Sequence, residues 1–255
     1  MEDHVGLSDA VAASSAFPFG FSSLRLAIPD GLELTREDPW GEIRVASAKR
    51  SNVLPSDKDR VIFLTDGGVY DNLGVEPIWN RYKSLLVSDA GRPFESVGTC
   101  KQGLYSRLRR ASDISMEQVG AVRKRWLVDE FSKGRRTGAI WALHTRLEDF
   151  PLSDRCGYEP SISAAIQRIR TDLDSFSDAE IACLENHGYS LADASLRSRA
   201  TTLCENPHAN FRWPHPAWTE QSVILPALAN SHSYKVLRSL GKFAKNCFWR
   251  KRDKD

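Results

Sequence analysis

An acidic residue beside two glycines is the feature of this sequence that is best suited to chemistry. Asp66 comes shortly after the apolar residues 61–64, and Gly67 and Gly68 follow it directly. Glycine has no Cβ atom, so a carboxylate here can approach a reacting group without crowding, and glycine also permits the positive φ angles of a sharp turn. The pattern predicts a buried strand over residues 61–64 that presents Asp66 as a general base.

The same residues also have a purely structural interpretation. An Asp-Gly pair between apolar runs is a strong signal for a β-hairpin, and most such pairs are turns. Asn72 is predicted to cap a short helix over residues 73–82. The residues alone therefore leave a turn and a catalytic site both open.

Three segments of the sequence resemble the patatin-like phospholipases. In that family an Asp-Gly-Gly or Asp-Gly-Ala motif is commonly followed by a helix start that contains asparagine, as in residues 66–72 here. Residues 10–18 are similar to the helix-to-loop stretch ahead of that acid. Residues 169–174 and 185–189 are similar to the later helical part of bacterial members. The matches occur in the order that the family has.

The resemblance implies a serine acyl hydrolase that acts on lipid or phospholipid esters without a cofactor or a metal. A serine attacks the ester carbonyl, a glycine-rich loop holds the oxyanion, and water then deacylates the enzyme. Asp66 would be the general base of the Ser-Asp dyad, and Gly67, Gly68 and Asn72 would complete the active-site motif. To serve in this way, Asp66 must lie within hydrogen-bond reach of the serine hydroxyl and be partly desolvated.

The nucleophile that this chemistry needs is not found in the sequence. Neither a Gly-x-Ser-x-Gly elbow nor a glycine-rich oxyanion loop occurs in its 255 residues. The segment Gly6-Leu7-Ser8-Asp9-Ala10 ends in alanine, and residues 1–5 are too polar to form the strand that precedes an elbow. Ser8 is predicted instead to be a helix N-cap, with Asp9 in the first turn. We therefore expect this chain to be the C-terminal part of a patatin-like hydrolase and to be inactive alone. A misassigned start codon, a split gene or a degraded gene would each produce such a chain.

The composition is that of an ordinary globular protein, with 41% hydrophobic and 27% charged residues. The net charge of +2 gives no argument for nucleic-acid binding. Five widely spaced cysteines without a Cys-x-x-Cys pair indicate reduced thiols rather than disulfides or a zinc site. Because no signal-peptide pattern is present, we expect a cytoplasmic protein, with peripheral membrane contact as an addition.

The apolar runs at residues 61–64 and 84–89, with a short helix between them, predict a parallel sheet. The predicted fold class is α/β, the remnant of a patatin-like parallel or mixed sheet flanked by helices, with a mostly helical C-terminal extension. Its predicted regions are a portion of the catalytic core (1–95), a helical extension packed on that core (96–233) and a basic amphipathic tail (234–255). Helices are predicted over residues 8–17, 101–112, 113–133, 162–173, 177–187 and 189–200, and further strands over 24–28, 43–46 and 138–144.

Two other residues are candidates for acid-base chemistry. Asp89 and His144 each end a predicted strand, and open α/β sheets bind ligands at the carboxyl ends of their strands. Asp89 is interpreted as a supporting or loop-capping acid, and His144 as a structural residue. A distinct enzyme that uses either of them stays open. His208 and His215 do not have a metal-ligand spacing, and Trp213 and Trp218 beside them are predicted to pin their loop to the core.

The tail is the second feature that points to lipids. Residues 234–252 carry seven cations and no acid. Apolar residues recur among them at helical spacing, which predicts a basic amphipathic helix suited to anionic headgroups. The cations expected to make this contact are Lys235, Arg238, Lys242 and Lys245. The alternatives are a terminal helix that docks on the core and, for the whole chain, a non-catalytic module that binds lipid or membrane surfaces.

Overall fold

The computed structural model describes residues 6–18, 21–27, 34–38, 41–46, 61–91, 103–171, 175–205 and 210–232. Over these residues the protein combines helices with small sheets and belongs to the mixed α/β class. The chain divides into two compact units, Met1–Lys83 with Val97–Trp126 and Ser84–Ser96 with Leu127–Asp255. The predicted tail helix, with Lys235, Arg238, Lys242 and Lys245, lies outside the described residues.

The first unit contains small antiparallel sheets and short helices. In chain order its elements are α1 (Leu7–Ser14), β1 (Leu24–Ala27), β2 (Leu34–Asp38), β3 (Gly41–Ala46), β4 (Val61–Leu64), α2 (Gly68–Asp71), α3 (Glu76–Trp79) and most of α4 (Leu104–Ser132). Strand β1 pairs with β4, with Leu24 opposite Leu64. Strand β2 pairs with β3.

The second unit contains a parallel pair of strands, a long helix that packs on one of these strands, and shorter helices. Its elements are β5 (Ser84–Asp89), β6 (Thr137–Ala142), α5 (Pro160–Ile166), α6 (Asp178–Arg199) and α7 (Gln221–Leu228), with 3₁₀ turns at Leu147–Asp149 and Thr201–Leu203. Strands β5 and β6 run parallel, from Ser84 opposite Thr137 to Asp89 opposite Ala142.

The predicted pairing of residues 61–64 with residues 84–89 is wrong. Among the described strands, β4 pairs antiparallel with β1, and the parallel partner of β5 is β6, which follows it after α4. Strand β4 is also less buried than predicted, since Phe63 is 69% exposed. A strand with an exposed face suits an antiparallel pair, whereas parallel strands are normally covered on both faces.

Helix α1 begins one residue earlier than predicted and with a different cap. Gly6 is the N-cap, and its backbone N–H donates to the Asp9 carboxylate at 3.3 Å. Ser8 therefore lies inside the first turn and is not the cap. The helix ends at Ser14, three residues before the predicted end.

The core of the second unit is an apolar cluster between α5, α6 and α7. Its buried members are Tyr158, Ile162, Ile166, Ile169, Cys183, Ile224 and Leu228. Trp213 and Trp218 pack against this cluster, which confirms that they pin their loop to the core. Among the described residues, Cys156, Cys183 and Cys204 are free thiols.

Two pairs of predicted helices are in fact single helices. Helix α6 continues through Gly188, where the sequence predicts an end, because ten of its side chains are buried and their packing outweighs the cost of about 1 kcal/mol for a helical glycine. Helix α4 covers the predicted helices 101–112 and 113–133 in one element of 29 residues, of which only Leu127 is buried. None of the helices in the described residues is both long and apolar enough to cross a bilayer.

Candidate functional site around Asp66

The turn that carries Asp66 is anchored to the end of α1. The Thr65 hydroxyl and the Asp66 backbone N–H both donate to the carbonyl oxygen of Ala16, at 2.8 and 3.0 Å. Ala16 is itself buried. Two of the segments that carry the family resemblance, residues 10–18 and 66–72, are therefore in direct contact, although about 50 residues separate them in the chain.

The Asp66 carboxylate closes a strand-to-helix turn. Its Oδ1 accepts a hydrogen bond from the Gly68 backbone N–H at 2.7 Å, and its carbonyl oxygen accepts one from the Val69 N–H at 3.3 Å. Helix α2 begins at Gly68, directly after the turn. The hairpin alternative is thus wrong, because a helix and not a second strand follows Asp66. Asp66 is half-buried, so its side chain still reaches solvent.

The two glycines have different roles, and neither supplies a positive φ angle. Gly67 has φ −65° and ψ −26°, which any residue can adopt, and a Cβ atom there would meet nothing within 4 Å. At Gly68 a Cβ atom would lie 2.7 Å from the Asn72 Oδ1 and 2.9 Å from the Asp66 Oδ1. The positive φ that glycine permits is thus not used at either position, and a side chain at Gly68 would have to displace the Asp66 carboxylate or the Asn72 amide.

Asn72 ends one helix instead of beginning another. It is the C-cap of α2, whereas Val75 is the N-cap of α3, and the predicted helix over residues 73–82 is limited to Glu76–Trp79. Gly74, at φ +62°, separates the two helices, in a conformation that favours glycine. The Asn72 side chain nevertheless approaches Gly68, so Asp66, Gly68 and Asn72 form one compact group as the motif implies.

An arginine that the sequence did not single out braces the two short helices. The Arg123 guanidinium lies 2.9 Å from the Asp71 Oδ1 and 2.5 Å from the Glu76 Oε2. It also lies over the Tyr70 ring, 5.1 Å from its centroid. Asp71 Oδ2 accepts from the Glu76 N–H at 2.8 Å, which links the end of α2 to the start of α3. No local spacing could have revealed Arg123, because it follows Asp71 by about 50 residues.

Two segments of the chain have the form Gly-x-Ser-x-Ala, and the serine of neither segment is positioned as a nucleophile. Ser8 lies in the first turn of α1. Residues 188–192 have the same form, and Ser190 there is fully buried within α6. Its hydroxyl contacts the carbonyl oxygens of Asn186 and His187, both at 3.0 Å. A nucleophile elbow has its serine on a tight turn between a strand and a helix, and neither residue has that setting.

Asp89 and His144 have separate surroundings in the second unit. Asp89 Oδ1 accepts from the Gly91 backbone N–H at 2.9 Å, which confirms its interpretation as a loop-capping acid. His144 is exposed and lines a cavity of about 260 Å³ together with Arg146, Glu148 and other residues. No hydrogen-bonded acid-base partner for His144 is recorded among the described residues.

Two buried ionisable residues of the second unit, His187 and Glu180, have structural partners. His187 Nε2 contacts the carbonyl oxygen of Leu143 at 3.0 Å, and burial lowers the pKa of His187, so the ring is a neutral donor at pH 7. Burial alone would raise the pKa of Glu180, but hydrogen bonds from the Ser177 backbone and from the Arg170 guanidinium outweigh it and bring the pKa to about 2.

The histidines of the predicted loop give no metal site in the part of the chain that is described. His215 Nε2 lies 2.5 Å from the Glu185 Oε2, and its backbone N–H donates to the Asn186 Oδ1 at 2.9 Å. His208 lies outside the described residues. Among the residues that are described, no group of three His, Cys, Asp or Glu side chains is arranged to hold a metal ion.

Comparison with protein-family models, with curated proteins and with solved structures finds no match. Functional interpretation therefore depends on the motif resemblance and on the geometry around Asp66.

Proposed function

We propose that this chain carries the general base of a patatin-like lipid acyl hydrolase, and that Asp66 is this base. The observation that carries the proposal is the strand-to-helix turn in which Gly68 holds the half-buried Asp66 carboxylate. A structural hairpin would place a second strand after the two glycines. Lipid or phospholipid esters are the proposed substrates, in a cytoplasmic protein with peripheral membrane contact.

The proposed role of Asp66 is to remove the proton from a serine hydroxyl as that oxygen attacks the ester carbonyl. The hydrogen bond from Gly68 fixes the orientation of the carboxylate through Oδ1, so Oδ2 is the atom that would accept the proton. Arg123 and Asp71 brace the helices behind the turn and position Asp66 without contacting the substrate. The serine and the oxyanion donors would come from outside these residues, so we expect the chain alone to be inactive.

The test begins with the coding sequence upstream of Met1. If it holds an in-frame Gly-x-Ser-x-Gly segment, the extended chain should hydrolyse short-chain esters and phospholipids. Asp66→Asn should then lower kcat about 100-fold or more, because general-base catalysis typically contributes a factor of that size. Asp89→Asn is the matched control at another strand end, and it should leave kcat unchanged.

Three results would contradict the proposal. The first is an extended chain whose activity survives Asp66→Asn. The second is turnover by the present chain that is lost on Ser8→Ala, which would make Ser8 a nucleophile. The third is activity that depends on His144 or Asp89 instead, which would indicate a different enzyme.

The second candidate function is a non-catalytic module that binds lipid or membrane surfaces. The basic and apolar pattern of residues 234–252 favours it. Liposome binding without esterase activity, abolished by deletion of residues 234–255, would support this alternative. Esterase activity of the extended chain that depends on Asp66 would exclude it as the sole function.

A further inference from the structure

Helix α4 has an exposed apolar face along the part of its length that belongs to the first unit. At about 100° per residue, seven of its positions fall within a sector of about 80°. This α4 stripe consists of Leu104, Leu108, Ala111, Ser115, Val119, Val122 and Trp126. Six of the seven residues are apolar, and all but the half-buried Val122 are exposed. Leu104 is 72% exposed and Trp126 is 62% exposed.

The exposure of this face calls for a physical explanation. Most of the stability of a protein helix comes from burying its apolar side. In α4 only Leu127 is buried, and it lies outside the stripe. The helix is held at one flank of the stripe by Arg123, through its ion pairs with Asp71 and Glu76, and at the end of the stripe by Trp126, which stacks on Trp79 with ring centroids 6.2 Å apart. The remaining exposed part of the stripe, from Leu104 to Val119, takes part in none of these contacts.

Charges around α4 are distributed unevenly with respect to the stripe. Arg107 and Arg125 are exposed and lie on one flank, about 80° from the centre of the stripe. Asp113 and Glu117 lie about 160° from the centre, on the opposite side of the helix, together with Arg109, Arg110 and Lys124. Asp129 follows Trp126 on the stripe side and marks where the apolar row ends.

We infer that the α4 stripe docks on the surface of an anionic lipid bilayer. A helix at a membrane interface places its apolar side at the boundary between headgroups and acyl chains, with cations beside it and acids turned to water. Arg107 and Arg125 are placed to meet anionic headgroups, and Asp113 and Glu117 are placed to avoid them. The row from Leu104 to Trp126 is about 33 Å long and can lie flat along the interface.

A second copy of the helix fits the stripe less well. With the stripes fully overlapped, a parallel pair would bring opposite flanks together, so Arg125 would lie near Arg123 of the other copy. An antiparallel pair would place Arg107 close to Arg125. Like charges that flank an apolar seam oppose pairing in either orientation, whereas an anionic bilayer neutralises them.

The inference extends the lipid-directed part of the proposed function to a particular helix. It does not depend on chemistry at Asp66, because membrane binding is measured without turnover. Loss of vesicle binding and loss of hydrolysis of a soluble ester by the extended chain can therefore be told apart.

The experiment is cosedimentation of the full chain with phosphatidylcholine vesicles that contain or lack phosphatidylserine. We expect binding that requires phosphatidylserine and weakens with added salt. Leu104→Ser with Leu108→Ser should lower the affinity for the vesicles about tenfold or more, because two leucine side chains that would be buried in the bilayer are lost. Arg107→Gln with Arg125→Gln should lower it about 30-fold, since each cation near an anionic surface contributes about 1 kcal/mol.

Matched controls lie on the second unit. Val223→Ser removes an apolar side chain that is 46% exposed, and Arg146→Gln removes a cation whose side chain is 72% exposed. Neither should change the affinity by more than about twofold, which lies within the spread of neutral surface substitutions. Circular dichroism of each variant checks that the helices are retained. Brominated acyl chains should quench tryptophan fluorescence, and Trp126→Phe should remove part of that quenching.

Several outcomes would overturn the inference. One is the absence of binding to either kind of vesicle. Another is binding that the stripe variants do not weaken, which would assign it to the tail or to another surface. A third is a concentration-dependent dimer that Leu104→Ser with Leu108→Ser dissociates, because the stripe would then contact a second copy of the chain.

Discussion

At the scale of single residues, the two glycines after Asp66 differ in whether a side chain could be accommodated in place of glycine. Gly67 has ordinary helical angles and open space around it. Gly68 faces two side-chain oxygens, those of Asp66 and Asn72, at distances that no Cβ atom tolerates. The geometry of the Asp66 turn therefore depends on the second glycine.

The first prediction compares alanine at these two positions. Gly68→Ala should lower the free energy of unfolding by about 1–2 kcal/mol, because the new methyl group must displace the Asp66 carboxylate or the Asn72 amide. Gly67→Ala should leave it unchanged or raise it by up to about 1 kcal/mol, since alanine adopts these angles without strain. Urea denaturation monitored by circular dichroism measures both.

Asn72→Ala provides the check on this explanation. In that background the contact of 2.7 Å to the Asn72 Oδ1 is gone, so Gly68→Ala should be less destabilising than in the native chain. Equal losses in the two backgrounds would show that steric contact with Asn72 is not the cause.

The second prediction concerns the buried ion pair of Glu180 and Arg170. The pKa of Glu180 is about 2 in the folded protein, compared with 4.5 for an ordinary glutamate. Because the folded pKa is the lower one, this carboxylate contributes stability above about pH 4.5, and the contribution is lost as the pH falls toward 2. The contribution is on the order of 3 kcal/mol.

Glu180→Gln tests that assignment. It should be strongly destabilising at pH 7, because it removes the negative charge that faces the buried Arg170 guanidinium. The unfolding free energy of the variant should also fall less steeply between pH 5 and pH 3 than that of the native protein. Glu185→Gln, at a more exposed ion pair, is the control and should retain the native pH dependence. A native-like acid response of Glu180→Gln would contradict the prediction.

At the scale of elements, α6 shows packing outweighing local propensity. It begins with a capping box, in which the Ser177 hydroxyl accepts from the Glu180 N–H and the Glu180 carboxylate accepts from the Ser177 N–H. Gly188 lies inside the helix, eleven positions after Ser177. A Cβ atom there would meet nothing within 4 Å. This glycine is therefore not needed for close packing.

The third prediction is that Gly188→Ala raises the free energy of unfolding by about 0.5–1 kcal/mol, the usual difference between the two residues within a helix. Gly157→Ala is the contrasting variant, because its Cβ atom would lie 2.0 Å from the Leu147 Cδ1 and should destabilise the second unit. Thermal unfolding measures both. Destabilisation by Gly188→Ala would indicate that α6 is interrupted there, as the sequence alone predicts.

At the scale of the whole molecule, burial is distributed unevenly among the elements. Helix α6 has ten buried side chains, and β5 buries alternate residues. Helix α4, the longest element among those described, buries only Leu127. Elements with few buried contacts open with little free energy, whereas core elements open only with global unfolding.

The fourth prediction follows from that distribution. Amide hydrogen exchange should be slowest in α6 and in β5 with β6, and much faster in α1 and in residues 104–126 of α4. If α4 docks on a bilayer, phosphatidylserine vesicles should slow exchange in α4 and leave α6 unchanged. Uniformly slow exchange in α4 without vesicles would mean that its exposed face is covered in solution.

Local features of the fold could be predicted from the sequence. The strands at residues 61–64 and 84–89, the N-terminal helix and the turn at Asp66 are all present. Each depends on neighbouring residues, through apolar runs, caps and glycines. The proximity of Asp66, Gly68 and Asn72 was also predictable, because Asn72 comes only six positions after Asp66.

Other features depend on residues that are distant in the chain. The partner of β5 is β6, about 50 residues later, and Arg123 reaches Asp71 over a similar separation. Helical spacing puts Val119 and Trp126 on one face of α4, but spacing cannot show whether that face is covered. Local chemistry thus determined the turn that holds the Asp66 carboxylate. Only the tertiary structure decided strand pairing, the ion pairs behind the turn and the exposure of α4, because these depend on which distant surfaces meet.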